Sequence, residues 1–278
     1  METPGTRTRQ LVLWLLQLGF AAAALTGLAG CASNSTTASL PAAGTDITTE
    51  SDLSPARKRA QIRLDLAVGY FQRDELKVAL DEIKRAISID PGFAEAYDLR
   101  GLVYMRLGDP KLAQDSYRRA MALKPQDGNI IHNYGWMLCQ QHHYPEADQA
   151  FQRALAIPTY RDRAKTLMTE GLCQMEAGQK AQAEVTLTKS YQLDAGNPIT
   201  GYNLASLLYQ GNELTRAQFY IRRINNTDLA NAQTLWLGIQ IEHRLNHPDG
   251  VSQLGSQLEQ RFPGSSEASL YQQGKFNE

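Results

Sequence analysis

The chain has 278 residues with 28 Lys and Arg against 29 Asp and Glu, and a net charge of −1 provides no basic surface for a nucleic-acid backbone. Hydrophobic residues make up 42% of it, ample for a continuous core, and the 11 prolines serve mainly as punctuation. No GxSxG elbow, GxxxxGK[ST] phosphate loop or HExxH helix occurs, so the sequence carries no recognisable catalytic apparatus and no cofactor or small-molecule substrate is expected.

Residues 1–30 read as a processing signal. Arg7 and Arg9 supply a positive start, residues 11–25 form an apolar run broken only by Gln17 and small residues, and Leu28-Ala29-Gly30-Cys31 follows. The run is too short for a stable membrane span and fits a secretory leader. Its ending resembles a bacterial lipobox, which implies that Cys31 is acylated through its sulfur and becomes the first residue. The alternative is an ordinary secreted protein with a chance cysteine there. Ala32, standing where inner-membrane lipoproteins tend to carry aspartate, implies the periplasmic face of the outer membrane. Residues 31–55 then make a tether rich in Ser, Thr, Ala and Gly. As a coil, residues 32–55 span about 27 Å.

From residue 56 to 264 one unit recurs six times. The small residues Ala67, Gly101, Gly135, Gly171, Ala205 and Gly238 align at spacings of 34, 34, 36, 34 and 33. Each falls where two helices of a hairpin touch, since only a small side chain lets the backbones approach. Large residues at helical spacing fill the surroundings, as Tyr97, Tyr104 and Tyr117 do in the second unit. Proline ends several units because it lacks an N–H and restricts its predecessor. This pattern resembles the tetratricopeptide repeat and implies an all-α fold, a right-handed α–α superhelix of about six repeats. The sixth unit is degraded, with Gly250 where alanine is usual, and residues 265–278 are expected to cap the stack.

Cys139 and Cys173 lie 34 residues apart on the first helices of units three and four. In an oxidising compartment they are expected to form a disulfide; two buried thiols are the alternative. His132, His142 and His143 lack a matching Cys or carboxylate set, so no metal site is assigned. Glu170 and Glu176 are six apart on a helix and do not converge as an acid/base pair. The expectation is a protein without enzymatic activity.

First helices of such a stack line its concave face. Counting inward-facing positions gives an apolar strip of Leu64, Val68, Phe71, Leu102 and Met105, with Trp136 and Tyr209 as further anchors for an extended or helical peptide. Packing between units is the competing reading for each of them. A monomer is expected.

The run Arg63-Leu64-Asp65-Leu66-Ala67-Val68-Gly69-Tyr70-Phe71, the run Asn133-Tyr134-Gly135-Trp136-Met137-Leu138-Cys139, Tyr202-Asn203-Leu204-Ala205 and the lipobox together resemble the PilF/PilW family of type IV pilus lipoproteins. That resemblance implies a pilotin-like role: membrane attachment through the lipid, and binding of the pilus secretin to promote its outer-membrane localisation and multimerisation. The alternative is a periplasmic scaffold of the same architecture that recruits peptidoglycan-remodelling enzymes.

Overall fold

The computed structural model describes residues 49–276, and the expectations for the leader, for Cys31 and for most of the tether lie outside them. Among the described residues there are thirteen α-helices and no strand. The hairpins are α1 (Pro55–Gln72) with α2 (Leu76–Ile89), α3 (Ala94–Arg106) with α4 (Pro110–Leu123), and α5 (Gly128–Gln140) with α6 (Tyr144–Leu155). They continue as α7 (Arg163–Glu176) with α8 (Lys180–Leu193), α9 (Pro198–Gln210) with α10 (Leu214–Asn225), and α11 (Ala232–Arg244) with α12 (Pro248–Arg261). A short α13 (Ser266–Gln272) packs on both members of the last pair. None of these helices is long and apolar enough to cross a membrane.

Local chemistry sets the helix starts. The Ser54 side chain accepts from the Arg57 N–H, and Pro55 sits at the first helical position, where its missing N–H costs nothing. Composition placed Pro55 in the tether; the structure makes it the first residue of the array, after a 3-10 turn at Glu50–Asp52. Asp109 with Pro110 and Asn197 with Pro198 repeat the device, and Asn231 with Thr234 closes a reciprocal capping box.

The corner inside each hairpin needs one residue in the left-handed region. It falls at Asp74, Gly108, His142, Gly178, Asn212 and Asn246, with φ between 57° and 77°. Glycine, Asn and Asp adopt that conformation most readily. These six corners track the spacing of the small residues read from the sequence.

Close approach explains those small residues. A Cβ on Gly101 would stand 2.6 Å from the Tyr117 ring, on Gly135 2.9 Å from Phe151, and on Gly171 2.6 Å from Leu187. In each case the intruded side chain belongs to the second helix of the same unit. Tyr117, Phe151 and Leu187 are fully buried, each stabilising its hairpin by roughly 1.5–3 kcal/mol through apolar burial.

The extra two residues between units three and four also have a use. They lie in the loop that buries Tyr160, whose ring fills the space that a side chain on Gly128 would need. The Tyr160 hydroxyl meets Thr166 Oγ1 at 2.7 Å, and that oxygen meets His132 Nδ1 at 2.9 Å. The insertion is thus a plug that ties α5 to α7.

Candidate partner-binding face

Each first helix touches the first helix of the next unit, while no contact of similar extent joins successive second helices. Elements crowd together on the inside of a curve, so α1, α3, α5, α7, α9 and α11 form the inner wall of the superhelix.

On that wall Val68 is 36% exposed and Phe71 half-buried, with the Arg106 guanidinium 5.2 Å from the Phe71 ring centroid. Leu102 is half-buried against the cores of both the first and the middle units. Met105 is half-buried, and its sulfur accepts from the Tyr117 hydroxyl at 3.7 Å. Trp136 is half-buried against the middle core, and Tyr209 lies half-buried under the Arg244 guanidinium at 4.7 Å.

Leu64 requires a correction. It is only 6% exposed, in one core cluster with Ile83, Phe93 and Leu99, and offers nothing to a partner. A first helix is covered by its own second helix and by the following unit, so only a narrow stripe reaches the inner surface. At position 64 that stripe has already turned inward.

The inner wall widens between α9 and α11 into a cavity of about 360 Å³, lined by Tyr202, Ser206, Tyr209, Trp236, Gln240 and Glu267 among others. Trp236 was missed in the sequence strip. It stands 34 residues after Tyr202, so carrying the repeat one unit further finds it.

Cys139 and Cys173 are joined as a disulfide with Cα atoms 5.9 Å apart, linking α5 to α7 directly beneath the wall. The three histidines do not converge. His132 is buried, and desolvation lowers it to about 4, so it is a neutral hydrogen-bonding group at physiological pH. His142 occupies a corner and meets the Tyr144 hydroxyl at 2.7 Å, while His143 precedes α6. No cluster of three metal-type ligands occurs among the described residues.

Two carboxylates are perturbed: Asp98, and Glu170, which the sequence had set aside as half of an acid/base pair. Burial raises Asp98 to about 7, against the hydrogen bond it accepts from Asn133 Nδ2 at 2.9 Å. Burial likewise raises Glu170 to about 7, although Gln152 donates to it at 2.6 Å; Asp148 nearby adds to the shift. Glu170 shares a small cleft with Asp148 and Gln174, and Asp98 packs between α3 and α5. Both act as packing groups between units.

This is the architecture of a tetratricopeptide-repeat protein, and residues 94–127 match the tetratricopeptide repeat family model. The chain is 31% identical over 212 residues to the type IV pilus assembly protein PilF of Pseudomonas aeruginosa, across 76% of this chain and 84% of that protein. A solved structure of Pseudomonas aeruginosa PilF superposes with a TM-score of 0.69 at 29% identity, covering 80% of this chain and all of that one. PilW, described as a widely conserved type IV pilus biogenesis factor, superposes at 0.67 and 28% identity, covering 76% and 97%. The chain belongs to the PilF/PilW family of tetratricopeptide-repeat proteins of type IV pilus biogenesis.

Proposed function

We propose that the protein is a non-catalytic pilotin: an outer-membrane lipoprotein that captures the pilus secretin on the inner wall of its superhelix. The observation that carries this reading is the row of partly uncovered apolar and aromatic side chains along α1, α3, α5 and α9, namely Val68, Phe71, Leu102, Met105, Trp136 and Tyr209. A soluble surface with no partner has little reason to leave such a row on one face of one curve. Acylation at Cys31 supplies location, at about 0.8 kcal/mol per buried CH₂. Holding several secretin subunits at one bilayer raises their effective concentration and favours ring assembly without any chemistry.

The test is capture from detergent-solubilised envelope by the wild type and by Phe71→Glu. The variant is expected to keep its helical circular dichroism and lose the secretin. Leu64→Glu serves as the contrast, because a charge at that buried position disrupts the first unit itself. Undiminished secretin capture by Phe71→Glu, or recovery of peptidoglycan enzymes in place of the secretin, defeats the proposal. Cys31→Ser is expected to move the protein from the membrane fraction to the soluble periplasm.

A further inference from the structure

The junction between units three and four holds two acids with too few donors. Gln152 donates to Glu170 Oε1 at 2.6 Å, and the Gln174 amide nitrogen reaches Asp148 Oδ1 at 3.1 Å and Glu170 Oε1 at 3.4 Å. No donor reaches Glu170 Oε2, in a residue 1% exposed, or Gln174 Oε1, in a residue 4% exposed. The Asp148 and Glu170 carboxylates stand within hydrogen-bonding reach of each other, acceptor against acceptor. Of the influences on Glu170, the cation of Lys189 on α8 is the weakest. Asp148, Glu170 and Gln174 line one cleft of about 10 Å³ against the disulfide at Cys173. That is room for a single water-sized sphere.

We infer that this cleft is a calcium site that pins α6 to α7, with Asp148, Glu170 and Gln174 as its protein ligands. Each supplies oxygen, the atom that hard divalent cations take. The lining offers no imidazole or free thiolate to favour a transition metal. Two ionised carboxylates side by side repel each other, and a doubly charged ion between them removes that repulsion. Calcium accepts amide oxygens in irregular coordination, whereas magnesium keeps several waters, for which a cleft of this size has no space. A half-turn of the Gln174 amide exchanges its nitrogen for its orphan oxygen, so the donor that bridges the acids without an ion becomes a ligand with one. Gln179, exposed at the edge of the cleft, and solvent complete the coordination. The ion and the bond between Cys139 and Cys173 then fasten the same two units side by side. This inference is independent of which partner docks on the inner wall.

The test is urea unfolding of the full mature protein at pH 8, in EDTA and in about 10 mM calcium chloride, with ionic strength matched by sodium chloride. A dissociation constant of about 1 mM, in the range of extracellular calcium modules, makes the unfolding equilibrium constant about tenfold smaller with calcium. Glu170→Gln and Asp148→Asn are each expected to unfold identically in the two buffers. Terbium(III), which takes the same oxygen ligands, is expected to emit on excitation of tyrosine, since Tyr144 lines the cleft, and to lose that emission in both variants. Equal unfolding of the wild type with and without calcium, together with no variant-sensitive terbium emission, overturns the proposal and leaves an ordered water only. A calcium effect that survives in either folded variant overturns it as well. If Glu170→Gln fails to fold, Asp148→Asn, at a half-buried position, decides the matter. Loss of secretin capture would leave these curves unchanged, so the two readings fail separately.

Discussion

Reducing the bond between Cys139 and Cys173 should remove a calculable share of stability. The two sulfurs are separated by 34 residues of sequence, enclosing all of α6 and the loop that carries Tyr160. A cross-link of that span withdraws chain entropy from the unfolded ensemble worth about 4 kcal/mol at 25 °C. Little should be returned by the folded state. Both cysteines are buried among apolar neighbours, and as thiols they would still pack there as small hydrophobes. The assay is urea unfolding followed by circular dichroism, on wild type with and without dithiothreitol, so that the sulfur atoms stay in place. With a denaturant slope near 3 kcal/mol per molar, the midpoint should fall by more than about 1 M. The Cys139→Ala/Cys173→Ala double variant should unfold close to the reduced wild type and ignore dithiothreitol. Oxidised and reduced proteins that differ by less than about 1 kcal/mol would refute the reasoning, since the cross-link would then not constrain the unfolded chain.

Gly101→Ala sets two effects against each other. Alanine improves the intrinsic helix propensity by about 1 kcal/mol, but its methyl group would meet the buried Tyr117 ring at 2.6 Å. Overpacking of this kind costs about 1–3 kcal/mol, so the melting temperature should fall. Gly69→Ala, where the nearest atom is the Arg73 guanidinium at 4.0 Å, should raise it, and a rise at both positions would contradict the packing account. Glu170 is 1% exposed and its folded pKa of about 7 lies above the unfolded value of 4.5, so the folded state holds a proton that the unfolded state releases. Stability from this group is complete below pH 4.5 and is lost as the pH rises to about 7. Glu170→Gln should therefore unfold at higher urea than wild type at pH 8, by up to about 3 kcal/mol, and show little difference at pH 4. Superimposable pH profiles for the two proteins would count against burial as the cause.

The repeat was legible because its signal is steric. Gly101, Gly135 and Gly171 each report a ring or a branched chain pressing on the backbone, and such contacts recur with the unit whatever the surface does. The candidate site was harder to read. Leu64 and Val68 are one helical turn apart and both apolar, yet the first is core and the second is surface, because the next unit shields only one of them. A periodic count on a single helix cannot see that neighbour. The burial of the two acids was hidden for a different reason: Glu170 is tolerated through Gln152 on α6, 18 residues away in sequence, and Asp98 through Asn133, 35 away.

The hairpin corners carry a further consequence. At two of the four corners that are not glycine the side chain also works across the stack: Asp74 accepts from Arg106 on α3, and Asn212 from Arg244 on α11, each 32 residues onward. Glycine there would ease a strained torsion and at the same stroke unfasten one storey from the next. The first and fifth corners of the array therefore act as door-latches as well as bends, and swapping them for the more permissive residue trades comfort within a hairpin for slack between neighbours.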